Sequence, residues 1–165
     1  DIIKLDDGTV LVYFPWEVAL DITDTPYEQT AGARMKKYEV DPTATKDGKL
    51  MENDIVLFRY ADALLMKSEA KVRNGENGDV ELNQVRSRVK AARRPATLEN
   101  ILSERQLELA WDGWRRQDLI RFGMFTRAYN SRPQLPNEET GYTTVFPIPE
   151  KIRVMNTKLV QNPGY

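Results

Sequence analysis

With 165 residues the chain is long enough to bury the core of one ordinary domain. A charged share of 30% that sums to a net charge of −1 leaves no basic field to hold nucleic acid or an anionic membrane, and no apolar run reaches the ~20 residues that span a bilayer. Cysteine and histidine are both absent, which removes disulfides, thiolate nucleophiles, Cys/His metal sites and Ser-His-Asp catalysis, so no metal or cofactor is expected.

The chain opens on Asp1 rather than Met, as a cleaved precursor or a fragment would, and Asp1 to Thr9 lacks the apolar segment of a signal peptide. Residues 1–53 read as β-hairpin and loop. Ile2-Ile3-Lys4-Leu5 and Val10-Leu11-Val12-Tyr13-Phe14 are short β-branched runs separated by Asp6-Asp7-Gly8-Thr9, a hairpin signal. Trp16 to Gly32 reads as loop, Arg34 to Val40 as a further strand ended by Asp41-Pro42, and Thr43 to Asn53 as a polar connector.

Residues 54–92 read as a helical hairpin. Leu57, Ala61, Leu64, Leu65, Ser68 and Val72 form one stripe at helical period, and Ile55, Ala63, Met66 and Ala70 form a second on the far side. Such a helix is expected to lie between neighbours. Gly75 to Gly78 ends it, and Asp79 is the expected N-cap of a second helix carrying Val80, Leu82, Val85 and Val89. The pair has about the size of one ~34-residue tetratricopeptide unit.

Residues 93–165 read as one long helix from Leu98 to Phe122 capped by Thr97, then a Pro-rich loop, an extended Val145 to Glu150, a short helix at Glu150 to Met155 and a tail. The fold class is therefore mainly α with a small β portion, an α-α superhelix of helical hairpin plus long helix. On a helical wheel Arg105, Asp112 and Arg116 fall within or beside the apolar face of Leu98, Ile101, Leu102, Leu109 and Ile120. Trp111 and Trp114 are expected in the core.

Glu104 and Glu108 stand one turn apart, a spacing that glycoside hydrolysis could use. The weightier reading is a structural ion-pair network of Glu104, Arg105, Glu108, Asp112, Arg115, Asp118 and Arg121. Arg105–Glu108, Asp112–Arg115 and Asp118–Arg121 can each meet across one turn, and such partners hold a carboxyl ionised when a general acid needs the reverse. No catalytic residue is assigned, and the chain is expected not to be an enzyme. Trp16 and Tyr27, in the strand and loop region, are the candidates for stacking on a sugar ring, with packing as the competing reading.

Three stretches carry a resemblance. Arg59-Tyr60-Ala61-Asp62-Ala63-Leu64-Leu65-Met66, continuing to Ser68-Glu69-Ala70 and to Leu82-Asn83-Gln84-Val85-Arg86-Ser87-Arg88, is the first. Glu104-Arg105-Gln106-Leu107-Glu108-Leu109-Ala110-Trp111-Asp112-Gly113-Trp114-Arg115 with Asp118-Leu119-Ile120-Arg121-Phe122-Gly123 is the second, and Phe146-Pro147-Ile148-Pro149 with Gln161-Asn162-Pro163-Gly164-Tyr165 the third. In this order they resemble the C-terminal part of the SusD/RagB family of outer-membrane glycan-binding lipoproteins. The departures are small, among them Asp112 in place of Glu and Arg116 in place of an aromatic.

The resemblance implies a fragment of a longer lipoprotein on the extracellular face of the outer membrane, its N-terminal lipid anchor lying outside this chain. It implies non-catalytic binding of oligosaccharides, or of other nutrients, and their delivery to a SusC-like TonB-dependent transporter as partner. It assigns no ligand residue, because none of the three stretches is a ligand motif. A helical-repeat adaptor that binds only protein stays open as the alternative.

Overall fold

The structure, a computed structural model, describes residues 2–4, 7–16, 23–24, 30–33, 35–39, 41–44, 51–129 and 132–165. It divides into two compact units, Asp1–Asp54 and Ile55–Tyr165.

In the first unit β1 (Ile2–Lys4) and β2 (Val10–Val12) pair antiparallel, with Ile2 opposite Val12 and Lys4 opposite Val10. Asp7 stabilises the turn by accepting a hydrogen bond from the Thr9 amide at 2.8 Å. Phe14 continues the chain into a bridge with Ala31. No strand occurs among residues 35–39 of the segment expected as a further strand. That stretch is held instead by side-chain hooks: Asn53 donates to the Glu39 carbonyl, and Asp41 accepts from the amides of Thr43 and Glu52.

The second unit is helical, and the protein as a whole is mainly α. Its first helix, α1 (Tyr60–Arg73), begins six residues later than the hydrophobic period implies. Arg59 is extended, and Ile55, Leu57 and Phe58 stand exposed ahead of it. After the turn at 74–78 comes α2 (Asp79–Arg88), packed against α1. Asp79 does not cap this helix with its side chain; its Oδ1 accepts from the Ala96 amide at 2.5 Å, tying down the link to the next helix. Gly78 is buried where the turn meets α1. A Cβ there would lie 2.6 Å from the Ser68 carbonyl oxygen, so only glycine permits the approach.

Thr97 caps α3 (Leu98–Glu108) by accepting from the Asn100 amide at 3.1 Å. The continuous helix expected to Phe122 is interrupted. α3 ends at Glu108, and α4 (Arg115–Arg121) starts only after a turn in which Trp111 has φ 68° and Gly113 φ 81°. Two left-handed residues two apart cannot belong to a right-handed helix, and Gly113 is the natural stop. The apolar pattern carries on across the break because both helices face the same core, so periodicity alone does not reveal it.

That core is Leu64, Leu65, Leu82, Val85 and Ile101, bordered by Ala61, Val72 and Ala96. It draws on one stripe of α1. The other, with Ala63, Met66 and Ala70, is exposed among the described residues rather than sandwiched.

Beyond α4, Glu138 is fully buried and gathers its loop, accepting from Arg132, from the Leu135 amide at 2.9 Å and from Thr143 Oγ1 at 2.7 Å. The tail then closes on itself across α5 (Glu150–Met155). The Gln161 side chain pairs with both backbone groups of Ile148 as a second strand would. Asn162 donates to the Phe146 carbonyl and Tyr165 Oη to the Val145 carbonyl. Arg116 joins tail to helix: its guanidinium lies 4.3 Å from the Phe146 ring centroid and donates to the carbonyls of Thr143 and Thr144.

Candidate functional site

A lattice of charges runs through the second unit. Arg105 on α3 is buried and donates from Nη1 to Asp62 on α1 at 2.7 Å and from Nε to Asp118 on α4 at 2.8 Å. Asp118 also accepts from Arg121, three residues on, at 2.8 Å. Arg121 in turn reaches Glu69 on α1, which is held as well by Arg73 at 2.8 Å. Arg86 on α2 donates to Glu104 on α3 and to the Ala92 carbonyl. Glu108 accepts from Arg59 at 2.6 Å and from Arg88 at 2.7 Å, and Asp112 accepts from Arg59 at 2.8 Å.

The sequence brought Glu104, Arg105, Glu108, Asp112, Arg115, Asp118 and Arg121 to attention as partners one turn apart. The structure gives most of them partners on other helices. Asp118–Arg121 is a contact within one helix, whereas Arg105 reaches across to two further helices and Arg115 donates to the Leu102 carbonyl at 3.3 Å. Arg59, Asp62, Glu69, Arg86 and Arg88 complete the lattice. Of these, Asp62, Glu69 and Arg86 are charges buried on α1 and α2, which is the signal the sequence offered.

Burial pushes the Glu108 carboxyl up, but hydrogen bonds from Arg59 and Arg88 outweigh it and hold the group below its ordinary range. Glu69 behaves likewise under Arg121 and Arg73. Glu81 is held at about 2 by Lys71 and Lys67. These groups are anions at neutral pH. Among the described residues no cluster of acids is arranged to hold a metal ion.

The aromatic candidates separate. Trp16 is 87% exposed in the first unit, while Tyr27 lies outside the described residues. Trp111, expected in the core, is 75% exposed, because its left-handed backbone in the inter-helix turn aims it away from the helix face. Trp114 is half-buried against Phe58, ring centroids 5.6 Å apart at an interplanar angle of 40°. These two rings border a cleft of about 410 Å³ between α1 and α4, lined also by Met66, Glu69, Gln117 and Arg121. A second cleft, of about 580 Å³, is lined by Pro136, Asn137, Thr140, Tyr142, Val145 and Pro163.

The SusD family's sequence model matches residues 16–165. The chain belongs to the SusD family. It is 30% identical over 139 residues to the starch-binding protein SusD of Bacteroides thetaiotaomicron, covering 80% of this chain and 25% of that protein. It is 31% identical over 157 residues to a SusD-like protein of Formosa agariphila, covering 85% of this chain and 30% of the relative. Among solved structures, surface glycan-binding protein A of Bacteroides thetaiotaomicron superposes with a TM-score of 0.57 at 30% identity, covering 67% of this chain and 25% of that one. The same protein in complex with laminarihexaose gives a TM-score of 0.55 at 32% identity, with the same coverage. The chain thus spans only about a quarter to a third of the length of these relatives. All three stretches that carried the resemblance lie inside the matched region, and each is an assembly device. The first two supply the charge lattice; the third is the tail clasp.

Proposed function

We propose that this chain is part of a non-catalytic surface protein that captures oligosaccharides, or other nutrients, and passes them to a SusC-like TonB-dependent transporter. Capture takes place at the extracellular face of the outer membrane. The observation that carries this reading is the likeness, at 32% identity, to a glycan-binding protein in complex with laminarihexaose. Exposed aromatic rings provide the means, because a sugar presents an apolar ring face together with hydroxyls that need polar partners. Trp16, exposed as a platform requires, and Tyr27 are the residues proposed to stack on the ligand.

The non-catalytic part of the reading is supported by the state of the two carboxylates a glycosidase would have used. Glu104 is engaged by Arg86, and Glu108 is engaged by Arg59 and Arg88 and held ionised. Both are committed to guanidinium groups, and Glu108 is held as an anion where a general acid must carry a proton.

Titration calorimetry of the intact protein against a panel of neutral and charged polysaccharides tests capture. Saturable binding to at least one glycan, weakened by Trp16→Ala, is the expected outcome; no binding across the panel overturns it. Release of reducing sugar that Glu104→Gln abolishes without unfolding the protein would overturn the non-catalytic reading. Co-purification with a TonB-dependent barrel from detergent-solubilised outer membranes tests the partner.

A further inference from the structure

We propose that the cleft between α1 and α4 is a subsite for one neutral sugar ring, an inference that rests on the glycan-capture reading above and places a contact well away from Trp16 and Tyr27 in sequence. Three observations converge on it.

The first is an acceptor without a donor. Glu69 is buried, and its Oε1 takes the hydrogen bonds from Arg73 and Arg121. Its Oε2 is buried with no hydrogen-bond partner, although the residue lines the cleft. A desolvated carboxylate oxygen left unpaired is costly, and buried polar atoms in folded proteins are nearly always satisfied. A ligand hydroxyl in the cleft is a donor of the kind this oxygen lacks, and it would be met by rotation of the carboxylate towards the cleft.

The second is the shape of the apolar walls. Phe58 and Trp114 meet at 40° and form a wedge, with Phe58 72% exposed at its mouth. An aromatic surface of this kind takes the C–H face of a pyranose, while Gln117 on the exposed side of α4 offers both a donor and an acceptor for ring hydroxyls. The volume of about 410 Å³ lies within the ~300–1,000 Å³ typical of small-molecule sites.

The third is charge balance. The cleft is lined by three guanidinium groups, Arg73, Arg105 and Arg121, and by three carboxylates, Asp62, Glu69 and Asp118. Each cation is already committed to one of these anions. No net charge is left to draw in an ion, so the surface favours a neutral, hydroxyl-bearing ring over a uronate or a sulfated sugar.

The test uses the intact protein, with laminarihexaose and maltohexaose as probes. Phe58→Ala and Gln117→Ala alter exposed side chains that the core does not use, so both variants should keep the wild-type circular dichroism and melting temperature. Each is expected to weaken binding of the better probe by roughly three- to tenfold, the loss of one stacking or hydrogen-bonding contact. With 5-fluorotryptophan incorporated, the fluorine resonance that Trp114→Phe removes, and so assigns to Trp114, should shift on saturation. Unchanged affinity in both variants, with that resonance unmoved, overturns the subsite while leaving capture elsewhere on the protein intact. Wild-type protein that binds no neutral oligosaccharide overturns the subsite, and capture itself falls with it only if the charged polysaccharides also fail to bind.

Discussion

Arg105 and Asp118 form a 2.8 Å ion pair that spans the interruption between α3 and α4, both side chains being buried. The same guanidinium holds Asp62 on α1 at 2.7 Å, so one residue ties together three helices. Arginine suits the post because its planar fork donates in two directions at once, which a lysine ammonium on a flexible stem does not do with fixed geometry. Removing it leaves Asp62 buried without its guanidinium partner.

Arg105→Met should therefore destabilise the fold by about 3–5 kcal/mol, the cost of leaving a partner charge uncompensated. Arg105→Lys should recover less than half of that loss. Urea unfolding followed by circular dichroism measures both, and a lysine variant of wild-type stability would show that a single point charge suffices there.

Trp111 offers a contrast of sign. A buried tryptophan truncated to a small residue loses about 3–5 kcal/mol. Trp111 is exposed and holds a left-handed backbone that costs an L-residue roughly 1–2 kcal/mol. Trp111→Gly should thus stay within about 1 kcal/mol of the parent or exceed it, since glycine adopts this backbone without strain. Differential scanning calorimetry gives the answer, and a fall of several degrees would mean that the indole packs after all.

Acid should loosen the loop around Glu138. Hydrogen bonds from Arg132 and from the Leu135 amide lower its carboxyl from 4.5 to about 2. A folded-state value below the ordinary one means that the contribution is fully present above about pH 4.5 and is lost as the pH falls towards 2. The Leu135 amide, whose nitrogen lies 2.9 Å from Glu138 Oε2, should report a midpoint near pH 2 in an NMR titration. A midpoint near 4.5 would show the carboxylate to be solvated, and Glu138→Gln should flatten the response.

Much of the architecture was legible in the chain. Alternating β-branched runs around Asp7-Gly8 gave the hairpin, the spacing of Leu64, Leu65 and Val72 gave α1, and Thr97 marked the start of α3 to the residue. The failures have a common physical source. Periodicity reports which face is buried, not whether the backbone stays helical, so the shared core of α3 and α4 concealed the turn at Trp111 and Gly113. It likewise carried the expected start of α1 back to Asp54, through Ile55 to Phe58, which are not helical. Pairing was only partly legible, Asp118–Arg121 within α4 being the pair that spacing foretold. Sequence spacing finds neighbours within one helix, whereas Arg59 reaches Glu108 and Arg105 reaches Asp62 through tertiary contacts that no local rule contains. The candidate site was the least legible part: Glu69 reads as one more acid of a helix, and only the fold shows that one of its oxygens has no partner.

The fit of Gly78 against Ser68 has a consequence for how this hairpin can vary. Where two helices touch through side chains, a larger residue on one is accommodated by a smaller one on the other. Here the contact is backbone to backbone, reinforced by the Ser68 hydroxyl donating to the Gly78 carbonyl at 2.9 Å, so no compensating change is open to either partner. The hairpin therefore works as a fixed hinge pin, while outward positions such as Val80, Gln84 and Ser87 are free to be rewritten. One frame can then present many different outer faces without its two helices changing their angle.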